Sequence, residues 1–286
     1  MANVALSLAT NVDGDFFVDS TCIDCDACRV IAPAVFAESG DQSAVVRQPG
    51  TAGEVLAAEK ALLSCPTASI GTRVKRPMAA ALSAYPEPLD GEVYFCGFTS
   101  EKSYGALSYL IVRPEGNVLI DSPRFSGPLV RNIERLGGVA TMLLTHRDDV
   151  ADHQKYRDYF HCVRVLHADD VTARTSSIEL KPSSREPIEI AAGITMIPVP
   201  GHTRGHAVFL YRNHYLFTGD HLAWNEDRIQ LYAFRSACWY SWEEQKRSMK
   251  SLLPFSFEWV LPGHGRRIQL PAMEMKQQLE RCIEWM

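Results

Sequence analysis

The 286-residue chain has no apolar stretch approaching the roughly 18 residues that a membrane-spanning helix needs, so no membrane span is expected. It has no basic run longer than a few residues, and its formal net charge is −5. The electrostatic footprint of a nucleic-acid partner is therefore missing. The first residues (MANVALSLATNVDGDF) lack the basic n-region of a secretory signal and the arginines of a transit peptide,. The expected location is cytoplasmic, or an organelle stroma or matrix for a mature form. Internal repeats and low-complexity tracts are absent, and so is a flavin-binding domain. Eight cysteines are present. They include no second C-x2-C unit of the kind that structural zinc sites pair, and nothing suggests the oxidising compartment that disulfides require.

The positive features begin with four of those cysteines. Cys22, Cys25 and Cys28 form C-x2-C-x2-C, and Cys65 follows after 36 intervening residues, directly ahead of Pro66. Three thiolates in one tight loop can wrap three corners of a cubane cluster, and a fourth must return from a distant segment. Because Cys25 fills the second position, a [4Fe–4S] cluster is favoured over a three-iron one. Ile23, Val30, Val35, Phe36 and Ile70 lie close enough in sequence to shield it, and Glu54–Ser64 reads as a helix leading into Cys65,. From Phe16 to Ile70, including Ala32-Pro33-Ala34-Val35-Phe36, the chain resembles the short single-cluster ferredoxins. The resemblance implies a βαββαβ fold and a one-electron carrier. The other cysteines, Cys96, Cys162, Cys238 and Cys282, are scattered and read as small buried hydrophobes.

Apolar content of 46% supports a sizeable core,, and the length suits one to two domains. Residues 1–72 are expected to form the ferredoxin-like domain. Residues 73–91, with three prolines from Pro77 to Pro88 and a basic cluster at Arg73, Lys75 and Arg76, read as a linker,. From residue 92 to 286, strands at Val93–Cys96, Ser108–Val112, Val118–Asp121, Thr141–Thr145, Ile194–Val199, Val208–Tyr211, Tyr215–Thr218 and Trp259–Leu261 mix with helices at Leu129–Leu136, Tyr156–His161, Trp242–Leu253 and Ala272–Trp285. That mixture suggests an α/β domain.

Histidines and aspartates cluster just after several of these strands, in THRDD at 145–149, ADH at 151–153, PGHTRGH at 200–206, TGDH at 218–221 and LPGHG at 261–265. Imidazole and carboxylate suit a borderline or hard divalent cation such as zinc, iron or manganese. Taken in this order, with Asp121 ahead of them, the stretches resemble the metallo-β-lactamase superfamily from about Glu92 to His264. The resemblance implies an αββα sandwich. It implies His146 and His202 as ligands of a first metal, Asp152, His153 and His264 as ligands of a second, and Asp220 as the bridge. Asp152, Asp220 and His206 are the residues expected to act in catalysis. The chain departs from the superfamily's H-x-H-x-D-H at Asp148, which stands where the second histidine is usual, and its closing Asp-His pair falls two residues late. Asp148 is then an oxygen ligand, as a glutamate is in the flavodiiron branch, or Asp149 takes that role. The site otherwise holds a single metal, or both aspartates cap the following helix. His221 either lines the pocket or packs. Arg228, Tyr232, Arg235, Trp239 and Tyr240 either recognise an anionic or planar substrate or form an aromatic-rich packing segment.

The expected activity is that of a metal-dependent hydrolase acting on a small-molecule ester, thioester, lactone or phosphoester. Two alternatives remain open at this point. One is an oxidoreductase in which the cluster feeds electrons to a di-iron centre, with a redox partner protein. The other is an iron or redox sensor acting through a partner.

Overall fold

The structure, a computed structural model, describes residues 2–286. Its chain divides into two compact units. No helix is long and apolar enough to cross a membrane.

The first unit takes the residues up to Asn117 together with Ser122–Val139 and Ala151–Phe160. It opens with β1 (Phe16–Val18), α1 (Ala27–Ile31), β2 (Phe36–Glu38), β3 (Ser43–Val45), α2 (Ala52–Ser64) and β4 (Ile70–Thr72). This is the expected βαββαβ order. β1 pairs antiparallel with β4, and β2 with β3. Helix α2 starts where Thr51 and Glu54 close a reciprocal capping box, which satisfies two amide donors that the first turn would otherwise leave bare. Its Ala58 and Ala61 pack against Phe16, Val35 and Phe36.

Residues 73–91, expected as a linker, are folded. They form α3 (Ala79–Ser83) and β5 (Glu87–Asp90). Two interactions explain this. Arg76 pairs with both Glu59 (2.9 Å) and Asp15 (3.2 Å). Tyr85 is fully buried, and its Oη accepts a hydrogen bond from Ser64 Oγ at 3.0 Å. β5 then pairs with β6 (Val93–Phe95) and β6 with β7 (Tyr109–Ile111), all antiparallel. Helices α4 (Gly127–Arg135) and α5 (His153–Phe160) complete the unit.

The loop from Phe98 to Gly105 docks on the end of α2 and on the cysteine loop. Phe98 N donates to Ser64 Oγ at 3.2 Å, Thr99 Oγ1 to Ser64 O at 2.7 Å, and Tyr104 Oη to Ile23 O at 2.5 Å. Gly105 sits at φ +87, and a Cβ there would meet Cys25 Cβ at 2.5 Å and Cys25 Sγ at 2.7 Å. Only glycine satisfies both the left-handed backbone and the close approach.

The second unit comprises Val118–Asp121, Ala140–Val150 and His161–Met286. β8 (Val118–Ile120), β9 (Thr141–Leu143) and β10 (Val163–Val165) run parallel. Six further strands form a separate sheet in the order β11 (Ile188–Ala191), β12 (Ile194–Pro198), β13 (Ala207–Tyr211), β14 (Tyr215–Gly219), β17 (Trp259–Pro262) and β18 (Ile268–Gln269). A hairpin, β15 (Ala223–Asn225) with β16 (Gln230–Tyr232), and helices α6 (Trp242–Lys250) and α7 (Ala272–Trp285) account for the rest. The core joins Val208, Leu210, Leu216 and Val260 of the sheet to Met249, Leu252 and Leu279. β14 and β17 are parallel neighbours, so Asp220 and His264, each just past a strand end, emerge side by side.

Gly105→Ala should lower the iron and acid-labile sulfide recovered per chain while the circular dichroism of the β-rich second unit is kept. Parent-level iron and sulfide in that variant would show that the loop does not wall the cysteine site.

Candidate functional sites

In the first unit, Cys22, Cys25, Cys28 and Cys65 line a single small cavity together with Val18, Ile23, Pro66 and Ile70. None of them is in a disulfide. Two of the sulfurs already accept backbone amides, Cys65 Sγ from Ser69 N at 3.2 Å and Cys22 Sγ from Ser43 N at 3.4 Å. Burial pushes the Cys28 thiol up to about 12 and the Cys25 thiol well above its usual value. Four enclosed thiols with inward amides fit a cationic cluster that would hold them as thiolates. The residues of the C-x2-C-x2-C…C spacing are thus brought together as expected. Asp24 and Asp26, both left-handed (φ 57 and 66), give the loop its tight curvature, and Arg29 ties both carboxylates.

In the second unit, the ends of β9, β12, β14 and β17 present His146, Asp148, Asp149, His202, Asp220 and His264. The carboxylate of Asp220 lies between the imidazoles. One of its oxygens is 2.7 Å from His264 Nδ1. The other is 3.6 Å from His202 Nε2 and 3.7 Å from His146 Nε2. Asp148 Oδ2 is 3.7 Å from His202 Nε2. Two groups have ligand atoms close enough to share an ion, namely His146 with Asp148 and His202, and His146 with Asp149 and Asp220.

The electrostatics favour a cation there. His146 Nε2, both ring nitrogens of His202 and Asp149 Oδ2 are buried without hydrogen-bond partners. Such groups are costly to leave unsatisfied. Burial, with Asp220 adding repulsion, pushes the Asp149 carboxyl well above the usual range. Asp220 is held below its usual value by His264, His146 and His202 against the opposing effect of burial. Burial lowers His146 to about 4, so its ring is neutral at neutral pH, the form that ligates metal. The donor set fits one or two divalent cations.

Neighbouring groups hold these donors in place. Thr145 lies between Asp121 and His146. Its N–H donates to Asp121 Oδ1 at 2.8 Å, and its Oγ1 is 2.9 Å from Asp121 Oδ2 and 3.0 Å from His146 Nδ1. With the hydroxyl donating to Asp121 and accepting from Nδ1–H, Nε2 of His146 is left free to ligate. Asp170 accepts from Arg147 N (3.0 Å), Thr203 Oγ1 (2.5 Å) and Gly205 N (2.7 Å), and so joins the loops carrying His146 and His202. His206 is fully buried, and its Nε2 accepts the Asp220 amide at 3.2 Å. That contact places His206 behind the donors as a support for the Asp220 turn, away from the open face. Gly219 (φ +49) lets this turn pass, since a Cβ would meet Thr145 Oγ1 at 2.5 Å.

Asp152, His153 and His264, expected together as ligands of a second metal, are in neither of these two groups; of the three, His264 is the one that reaches these donors, through Asp220. His153 is buried at the start of α5 in the first unit. The Asp152 carboxylate is already occupied, by Lys102 Nζ at 2.8 Å, the Phe125 amide at 2.9 Å and Lys155 Nζ at 3.2 Å. Asp149, weighed in the sequence only as a substitute for Asp148, instead lies with Asp220, its Oδ2 within 2.7 Å of the position of a Gly263 Cβ. Neither Asp148 nor Asp149 caps a helix, because α5 begins only at His153. The structure adds Thr145, Asp170 and Lys102 to the residues that shape the two sites. A hydroxyl directly ahead of the first histidine was the one local signal available, whereas Asp170 and Lys102 act over long sequence separations.

His221 is fully buried, with both ring nitrogens unpartnered, and burial lowers it to about 3. Trp239, 63% exposed, stands with its ring 6.2 Å from that of His202. The segment is pinned by Trp239 N and Tyr240 N, both donating to His202 O at 3.0 Å.

Thr145→Val should weaken metal binding at this site by about 10–100-fold, the usual cost of losing a group that orients a ligand. Equilibrium dialysis against zinc or ferrous iron measures it, and unchanged affinity would remove Thr145 from that role. Cys65→Ser should lose most of the brown Fe–S absorption. Stoichiometric iron and sulfide in that variant would contradict a four-thiolate site.

Comparison with known proteins bears on the cysteine segment and on the fold. The sequence model described as the 4Fe-4S single cluster domain of Ferredoxin I matches residues 18–72. The crystal structure of DIM-1 metallo-beta-lactamase is similar at a TM-score of 0.54 and 14% identity, over 70% of this chain and 96% of that one. VMB-1 at pH 5.5 gives 0.53 and 16%, over 70% and 95%. No curated protein matches the sequence. Residues 18–72 are therefore a single-cluster 4Fe–4S ferredoxin domain, joined within one chain to a metallo-β-lactamase fold.

Proposed function

We propose that the chain is a metal-dependent hydrolase in which His146, Asp148 and His202 hold one cation, Asp149 and His264 a second, and Asp220 serves both. The observation that carries this reading is the split geometry of Asp220, with one oxygen at His264 and the other facing His146 and His202. Cations so placed supply a nucleophilic water ionised at neutral pH and an electrophile for a carbonyl or phosphoryl oxygen. The protein residues fix the donors. Thr145 sets the His146 tautomer, and His206 and Gly219 hold the Asp220 turn. Asp148 is half-exposed and His264 is partly exposed, so a small-molecule ester, thioester, lactone or phosphoester can approach from that side. The indole of Trp239 offers a flat apolar wall beside His202.

The donor set also favours a second reading. Three imidazoles meet three carboxylates, because Asp148 stands where a histidine is usual and Asp149 joins Asp220. An oxygen-rich set of this kind suits iron or manganese better than an all-imidazole one. With the ferredoxin domain in the same chain, it supports an oxidoreductase that takes its electrons through the cluster from a redox partner protein.

Protein purified without oxygen should carry cations in addition to the cluster iron. Asp149→Ala and Asp220→Ala should each reduce that extra content, and Asp152→Ala should leave it intact. Hydrolysis of a thioester and lactone panel should fall in Asp220→Ala by more than the roughly 100-fold cost of losing an outer-shell partner. Extra iron, no hydrolysis, and oxidation of the reduced cluster on adding substrate would replace the hydrolase reading by the redox one. Loss of the extra metal in Asp152→Ala but not in Asp149→Ala would overturn the ligand assignment itself.

A further inference from the structure

The first unit contains a partly buried cation that neither function above requires. Arg124 lies 59 residues beyond Cys65 in sequence, yet its Nη2 donates to Leu63 O at 2.7 Å, two residues before that cysteine. Its guanidinium carbon lies 5.9 Å from the Phe98 ring centroid. Its Nε is buried without a partner, and among the described residues no carboxylate forms an ion pair with it. Of the anionic groups around it, a charge on the Cys65 sulfur acts on it most strongly, ahead of Asp152. Asp152 is already matched by Lys102 and Lys155.

The backbone around Arg124 is held from three directions. Arg124 N donates to Phe98 O at 2.8 Å, Tyr156 Oη donates to Arg124 O at 3.3 Å, and Phe125 N donates to Asp152 Oδ2 at 2.9 Å. The guanidinium therefore sits at the Cys65 end of α2 by construction. With its Nε enclosed, the charge is partly desolvated, and its field is screened less there than at the open surface.

We propose that Arg124 sets the reduction potential of the cluster held by Cys22, Cys25, Cys28 and Cys65. A one-electron reduction adds one negative charge to the cluster and its four thiolates. A fixed positive charge beside Cys65 stabilises that reduced form more than the oxidised one, so it raises the potential. Loss of the charge lowers it. Arg124 touches no substrate in this role, and its effect is on the electron equilibrium alone. The inference is independent of the chemistry at the second metal site.

The test is a redox titration of the full chain, with the reduced cluster read by electron paramagnetic resonance. Arg124→Gln keeps an N–H donor for Leu63 O and removes the charge. At a fixed poise it should move the reduced-to-oxidised ratio about tenfold toward oxidised, which is ~59 mV for a one-electron couple. Arg124→Lys keeps the charge and should stay nearer the parent than Arg124→Gln does. Arg124→Met is a second neutral variant for the case in which the glutamine variant assembles poorly. A neutral variant with full iron and sulfide and the parent's potential overturns the proposal. So does failure of both neutral variants to hold a cluster, since the guanidinium would then be a structural cap on α2.

Discussion

The Asp220 carboxylate is shared by three imidazoles, and much of the second unit is arranged to permit that sharing. Its turn needs a left-handed glycine at Gly219, and the amide of Asp220 needs the ring nitrogen of His206. The parallel pairing of β14 with β17 brings His264 to one of its oxygens. Asp170 holds the two loops that bring His146 and His202 to the other. Asp149 is buried beside it, and burial together with Asp220 pushes its carboxyl well above the usual range. A divalent cation there would relieve that repulsion and engage the imidazole nitrogens that lack hydrogen-bond partners,.

This dependence also explains what could be read from the sequence. His146, His202, Asp220 and His264 each follow an apolar strand, so their convergence follows from strand order. The βαββαβ module was equally legible, because all four cluster cysteines lie within one local stretch and the apolar pattern from Glu54 to Ser64 marks the helix leading into Cys65. The length of the loop after His146 was not legible. With the Asp-His pair two residues late, Asp149 lies beside Asp220 while Asp152 is engaged by Lys102, 50 positions away. No local pattern announces such a pair. The segment 73–91 misled for a similar reason. Its prolines and basic residues resemble a tether, while Arg76 finds Asp15 and Glu59 and Tyr85 finds Ser64 only once the chain has folded.

The two units are interleaved in sequence, since the first is built from three separate stretches of chain. The cysteine site is consequently enclosed by residues that no free-standing ferredoxin module would carry, among them Tyr104, Gly105 and Arg124. The surroundings of the cluster are thus a property of the whole chain. Substitutions at Tyr104, Gly105 or Arg124 would bear on the segment that carries the cysteines, although all three lie outside it in sequence.

Gly105, pressed against Cys25, also orders events during synthesis. All four thiols have been made once Cys65 is added, but the wall that closes on them is made 40 residues later. At about 5–20 residues per second that interval is on the order of 2–8 s. The ligand-bearing segment is therefore complete in sequence before the residue that walls it, and the order of synthesis sets the ligands ahead of their cover.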